Sequence, residues 1–298
     1  MTNNIAKNNA PQAGQNTELV ALTQLWKTIK HQWLILVIWI VLGLAAAVTL
    51  WLTLSPKWQA TAVLQIGQMP LSMPSKETAQ SVLVLVEPPA QAVERLNQRE
   101  LKDKALTILG LPLEDGADKG VALFRKSLKG IVVRNTNFIE INVAAYSIED
   151  GKKYVNAIAQ SLIAIHNQRM EPVLKNVDAE IKENTVQLEE VQAQRAKLQR
   201  TITSMPKSND HFAQNIIAAD LLAKQDKQIQ ELKREHFTIA DILLPSNTYR
   251  TSIIDATFVP DSPYFPKLSL FLPIGLLLGA AIGCAIALLR EGRQKKVI

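Results

Sequence analysis

Residues 33–54 read WLILVIWIVLGLAAAVTLWLTL, and residues 268–289 read LSLFLPIGLLLGAAIGCAIALL; neither stretch holds a charged side chain. Each is about 22 residues, or roughly 33 Å as a helix, against a hydrocarbon core of about 30 Å. A buried core helix of a soluble protein is seldom so long and so free of charge. Both stretches are therefore expected to be transmembrane helices. A cleaved leader is the weaker reading of the first. Ala45, Ala46 and Ala47 offer small residues, but 32 residues precede the run and apolar residues continue to Leu54.

The flanking charges set an expected orientation. Lys27 and Lys30 precede the first run, and Arg290, Arg293, Lys295 and Lys296 follow the second, while only Lys57 and Lys267 lie close on the inner sides. Cytoplasmic flanks carry the Lys/Arg excess, so both tails, 1–32 and 290–298, are expected in the cytoplasm, with residues 55–267 exported. The net charge of +6 has the same origin. The tails hold seven of the 33 basic residues and two of the 27 acidic ones, leaving 26 and 25 between the spans. A segment that nearly neutral carries no electrostatic footprint for nucleic acid. The single cysteine, Cys284, lies within the second run, so the exported part folds without an internal disulfide.

Between the spans the pattern changes twice. Trp58–Ile66 reads as a strand, Met69–Ser75 as a loop, and Pro88-Pro89 opens a helix that runs to Gly110 with Val93, Leu96, Leu101 and Leu106 on its apolar face. A short helix over 121–128, a strand pair around the turn Asn135-Thr136-Asn137, and a strand over Ser252–Val259 complete an α/β base. Its expected parts are 55–146 and 248–266. The intervening 147–247 reads as a helical hairpin. Ser147-Ile148-Glu149-Asp150 has capping-box form, and Pro172 is expected to kink or divide the helix that follows. Val177, Ile181, Asn184, Leu188, Val191, Arg195, Leu198 and Ile202 recur at heptad steps. A second helix from about His211 to Leu243 offers Phe212, Ile216, Leu222, Ile229, Leu232 and Ile239 for one face. The seam either packs inside the hairpin or meets a neighbouring subunit. Asn184 and Arg195 favour the neighbour slightly, so Asn184, Leu188, Val191, Arg195 and Leu198 form a candidate oligomer seam. The fold class expected is thus an α+β membrane protein with two terminal spans, a membrane-proximal α/β base and a long helical hairpin.

No catalytic constellation stands out. His31, His166, His211 and His236 lack partners at metal-ligand spacing, and two of them flank the hairpin helices and read as solvated helix residues. Glu189-Glu190 and Asp115 with Asp118 sit among lysines and arginines and read as solvated surface. Gly151-Lys152-Lys153 lacks the flanking residues of a phosphate loop. No cofactor or metal is expected, and the nine residues after the second span are too few for a cytoplasmic enzyme or signalling module.

The strongest constellation is Pro260, Pro263 and Pro266, every third residue ahead of the second span, followed by Gly275, Gly279 and Gly283 at intervals of four within it. The prolines suit an extended polyproline-like strut. The glycines place small residues on one helix face, where another helix can approach closely. Together with Leu19–Trp33 ahead of the first span and Trp58-Gln59-Ala60-Thr61-Ala62 after it, this arrangement resembles the chain-length determinant (Wzz-type) polysaccharide co-polymerases of bacterial inner membranes. The resemblance implies a non-catalytic regulator of surface polysaccharide chain length, most often lipopolysaccharide O-antigen. It further implies a homo-oligomer working beside a membrane polymerase on lipid-linked glycan, with the proline and glycine motif shaping spans and contacts. Exopolysaccharide, capsule or enterobacterial common antigen are the alternative polymers. A secretion adaptor is a further alternative, disfavoured by the second span.

Overall fold

The computed structural model describes residues 33–71, 82–114, 116–204 and 212–294. These divide into two compact units, one comprising the terminal helices with residues up to 57 and from 262, the other residues 58–261. The expected tail before residue 33 and its amphipathic lead-in lie outside the described residues.

The first unit holds α1 (Trp33–Thr53) and α7 (Leu268–Gln294), with mean hydropathies of 2.6 and 2.3 over their most apolar windows. Both are long and apolar enough to cross a bilayer. Pro273 stands inside α7 without ending it.

The second unit is built on a four-stranded antiparallel sheet. β1 (Trp58–Gln65) lies between β5 (Phe138–Ala145) and β6 (Ser252–Ile253), and β4 (Lys129–Val132) adds to the far side of β5. A separate two-stranded pair joins β2 (Gln68–Pro70) to β3 (Leu83–Leu85). Strand side chains alternate between faces, so Ala60, Ala62, Leu64, Ile139, Ile141 and Val143 all point into one core. Four helices cover them: α2 (Pro89–Asn97), α3 (Arg99–Ile108), α4 (Lys119–Ser127) and the first turns of α5 (Ile148–Ser204), which contribute Tyr154, Val155, Ile158 and Leu162. Full burial of each such aliphatic side chain contributes about 1.5–3 kcal/mol. Gly151 lets α5 approach, since a Cβ there would already stand 3.1 Å from that of Ala60.

Ser147 caps α5. Its hydroxyl accepts the Asp150 N–H at 3.0 Å and donates to the Asp150 carboxylate at 2.8 Å. The helix then runs 57 residues through Pro172 without dividing. It returns through α6 (Phe212–Ile242), which packs back against it.

Several expectations are corrected in detail. The helix expected from Pro88 to Gly110 is two helices, because Gln98 takes an extended ψ of 139° and each piece buries its own side chains: Ala92 and Leu96, then Leu101, Ala105 and Leu106. Neither proline nor glycine marks that break; tertiary packing sets it. Met69 and Pro70, expected in a loop, end β2, where a proline's missing N–H is tolerated. The strand expected over Ser252–Val259 is interrupted: β6 ends at Ile253, the Ile254 N–H still donates to the Val63 carbonyl at 2.9 Å, and the chain next bonds β1 at Phe258, opposite Thr61. Between those points the Thr257 hydroxyl is drawn to Asn156 of α5 at 2.6 Å.

Candidate functional site

The glycine ladder of α7 meets α1. A Cβ on Gly279 would lie 2.6 Å from the Trp39 carbonyl oxygen and 2.9 Å from the Ile40 Cα, and one on Gly283 would lie 3.3 Å from the Leu36 Cα. A Cβ on Gly275 would stand 2.6 Å from that of Ala47. The reciprocal position on α1 is Gly43, whose missing side chain lets the Gly275 carbonyl and the Gly279 Cα approach. Lipid offers apolar helices no hydrophobic reason to associate, so van der Waals contact through small residues is what holds such a pair. Sequence reasoning missed Gly43 because a lone glycine in an apolar run forms no repeat.

Where the two helices end, the chain is fastened again. The Lys57 N–H donates to the Phe265 carbonyl at 2.8 Å, the Tyr264 N–H to the Lys57 carbonyl at 2.9 Å, and the Trp51 indole N–H to the Pro266 carbonyl at 3.2 Å. The Lys57 ammonium stands 5.3 Å from the centre of the Phe265 ring. This corrects the expected strut. Pro263 and Pro266 do not continue one extended run from Pro260, since the chain bends at Asp261, Ser262, Tyr264 and Pro266, and the Phe265–Pro266 bond is cis. A polyproline helix leaves its backbone groups to water, whereas here Lys57 takes them.

The heptad seam lies inside the hairpin. Val191 packs with Leu188, Ile229 and Leu232. The Asn184 carboxamide N–H donates to the Leu232 carbonyl at 3.2 Å, and Arg195 pairs with Asp226. Val177 and Asn184 are buried, and Leu198 is half-buried. The face offered by the sequence to a neighbouring subunit is thus the face that α6 takes, and polar seam positions fix the register of the two arms. Ile216, expected on the inner face of α6, is 55% exposed.

One cluster of the second unit had no signal in the sequence. Glu87, at the entrance to α2, is 2% exposed, His166 of α5 1%, and Thr251 beside β6 4%. Arg95 forks onto the Glu87 carboxylate at 2.7–3.1 Å, His166 Nε2 lies 3.1 Å from it, and Arg169 lies 3.5 Å away. His166 Nδ1 is 2.7 Å from the Thr251 hydroxyl, which accepts the Gly67 N–H at 2.8 Å. A neutral imidazole satisfies the whole chain: Gly67 to Thr251, Thr251 to His166, His166 to Glu87. Gly67 is needed for this approach, because a Cβ there would stand 2.7 Å from the Thr251 nitrogen. His166, a helix residue with no partner legible in the sequence, is thus buried and bonded at both ring nitrogens. Residues 67, 87, 166 and 251 are far apart in sequence, and no periodicity links them.

Hydroxyl, imidazole and carboxylate in that order also describe a nucleophile relay. Such a relay needs an open position about 3 Å from its nucleophile for the reacting atom. Thr251 is buried, its oxygen already accepts a backbone N–H, and Arg95 neutralises the carboxylate. The cluster is a tie between helix, strand pair and returning chain. Among the described residues no group of three or more His, Cys, Asp or Glu could hold a metal ion.

Burial pushes the His166 imidazole down, opposed by Glu87 and reinforced by Arg169 and Arg95, and the net shift is below its ordinary 6.5. Burial pushes the Glu87 carboxyl up, but hydrogen bonds from Arg95 and His166 and the nearby guanidiniums outweigh it, leaving it below 4.5. Both groups therefore make the unfolded chain the better proton acceptor in acid. Their stabilisation is complete above pH 6.5 and is lost as pH falls, first below 6.5 through His166, then below 4.5 through Glu87. In the hairpin, burial and then Glu235 and Glu183 raise Glu180, which acts in the opposite direction. Melting temperature between pH 7.5 and 5 should thus fall in the native protein. It should fall less steeply in His166→Gln; equal slopes would contradict the buried tie.

Comparison with known proteins gives one family match. Residues 18–109 match the family model described as chain length determinant protein (Wzz). No curated protein matches the chain. Among solved structures, a full-length bacterial polysaccharide co-polymerase is similar at 12% identity and a TM-score of 0.38, covering 91% of this chain and 97% of its own. A mutant of a Shigella flexneri lipopolysaccharide O-antigen chain-length regulator is similar at 10% identity and a TM-score of 0.21, covering 70% and 99%.

Proposed function

We propose that this chain, whose residues 18–109 match the chain length determinant family model, regulates the length of a surface polysaccharide, with lipopolysaccharide O-antigen as the polymer. The observation that carries the reading is the family match at residues 18–109 on a chain that also has two terminal apolar helices with a glycine-packed interface. On this reading the protein sits in the bacterial inner membrane with both tails cytoplasmic and residues 55–267 in the periplasm, as the flanking Lys/Arg excess supports. It acts without chemistry of its own, as a homo-oligomer beside the polymerase and its lipid-linked glycan. Pro260, Pro263, Pro266, Gly275, Gly279 and Gly283 shape the spans and their approach.

Deletion of the gene should redistribute the ladder of O-antigen chain lengths on a gel while polymer is still made, and the intact gene should restore the original mode. A ladder unchanged for O-antigen but altered for another surface glycan would reassign the polymer. An unchanged ladder for every surface glycan would end the proposal.

A further inference from the structure

A groove of about 360 Å³ runs between the two arms of the hairpin, and the charge along it is of one sign. On α5, Glu180 and Glu183 stand on one helix face beside the carboxamides of Asn184 and Gln187, and Glu235 faces them from α6. Glu183 accepts from the Gln187 carboxamide at 3.2 Å, and Glu235 from that of Asn184 at 3.5 Å. Among the described residues no Lys, Arg or His forms an ion pair with any of the three carboxylates, although Lys182 and Arg234 are close in sequence. Like charges at this helical spacing repel, and burial followed by the charges of Glu235 and Glu183 raises the Glu180 carboxyl. The fold itself does not relieve that repulsion.

A second observation does not depend on charge. Asn184 lines the groove and is 5% exposed. Its carboxamide N–H donates to the Leu232 carbonyl at 3.2 Å, but its oxygen, Oδ1, is buried and accepts no hydrogen bond. Buried acceptors without a donor are rare in folded proteins. Carboxylates and carboxamide thus lack the same thing, a positively charged N–H donor.

The arrangement also limits the shape of that donor. The carboxylates do not gather around one point, since among the described residues no group of three or more acidic or metal-ligating side chains could hold a metal ion. Glu180 and Glu183 lie about 5–6 Å apart at Cβ by their spacing, with Glu235 on the opposite arm. Ala179 and Ile239 add apolar surface between the charges. A long cation matches this better than a compact one, because its methylenes cover the apolar surface while its ammonium groups reach the carboxylates.

We propose that the groove formed by Glu180, Glu183, Asn184 and Glu235 is a binding site for an aliphatic polyamine. Its ammonium N–H groups donate to the three carboxylates and to Asn184 Oδ1, and no covalent bond is made or broken. The bound polyamine ties one arm of the hairpin to the other. The site rests on the hairpin alone and stands or falls apart from the length-control reading.

Spermidine should raise the melting temperature of the full-length protein in detergent saturably, beyond the effect of sodium or magnesium chloride at the same ionic strength. Glu180→Gln, at a half-buried position, should weaken the apparent affinity about tenfold, and Glu183→Gln, at an exposed one, about threefold. Each substitution removes repulsion, so neither variant should melt below the native protein when no polyamine is present. Glu189→Gln, exposed on the same helix but outside the groove, should bind spermidine as the native protein does. A rise no greater than that with magnesium would mean charge screening alone and would overturn the proposal. Equal affinity in the native protein and both groove variants would do the same. So would carbodiimide coupling of Glu183 or Glu235 to a lysine of a second copy that spermidine leaves undiminished, since the groove would then belong to a neighbouring chain.

Discussion

Replacing Gly279 by leucine should separate α1 from α7. Even a methyl group at that position would fall 2.6 Å from the Trp39 carbonyl oxygen and 2.9 Å from the Ile40 Cα, and both atoms belong to a helix backbone that cannot rotate away as a side chain can. Overpacking a close interface costs about 1–3 kcal/mol. In lipid no hydrophobic gain from helix association offsets it. With Cys284 replaced by alanine, cysteines at positions 46 and 278, which line the same groove, report the proximity of the helices. Their crosslinking should fall several-fold in Gly279→Leu, and the glycan ladder should shift with it. Leu277→Ala, 65% exposed on the outer face, serves as the control and should leave both readouts unchanged. Undiminished crosslinking would show that the helices tolerate the side chain and that the glycines are not what brings them together.

The second large effect is expected at Glu87. Glu87→Gln removes the carboxylate charge that both Arg95 and His166 engage in the buried tie. Breaking a buried pair from one side costs about 3–5 kcal/mol because the remaining charge is left uncompensated. Arg95 is 25% exposed and recovers part of that through solvent, so a loss near the lower end, about 3 kcal/mol, is expected. For a unit of this size that corresponds to a drop of roughly 6–12 °C in melting temperature. The triple replacement Glu87→Leu, Arg95→Met, His166→Leu should be more stable than the single one, since the one charge it leaves behind, Arg169, is 41% exposed and reaches solvent. A single variant that melts within about a degree of the native protein would mean that the cluster adds nothing to stability.

What could be read beforehand follows the range of each signal. Both terminal apolar helices are continuous in sequence, and composition alone marks them as long and apolar enough to cross a bilayer. The Ser147 cap and the antiparallel hairpin rest on spacings of three to seven residues, and both are present. Contacts between distant segments were the obscure part. Gly67, Glu87, His166 and Thr251 converge only when the sheet closes, and each alone looks ordinary. Gln98 is extended although nothing in its chemistry forbids a helix; the break reflects two helices each fitting the same sheet. The seam of α5 was visible as a heptad, but whether its partner belongs to the same chain is a question of topology that periodicity cannot answer.

The sheet has a further consequence through the order of its strands. β1 comes before the hairpin and β6 after it, yet the two are neighbours, so the outward and returning chains are joined at the foot. Beyond that foot, Leu188 and Val191 meet Ile229 and Leu232 across the hairpin in a seam with a seven-residue repeat. A whole repeat removed from or added to each arm at matching positions restores the same facing residues. The reach of the projection is therefore adjustable in steps of about 10 Å, seven residues at 1.5 Å each, like rungs on an extension ladder whose footing stays in place.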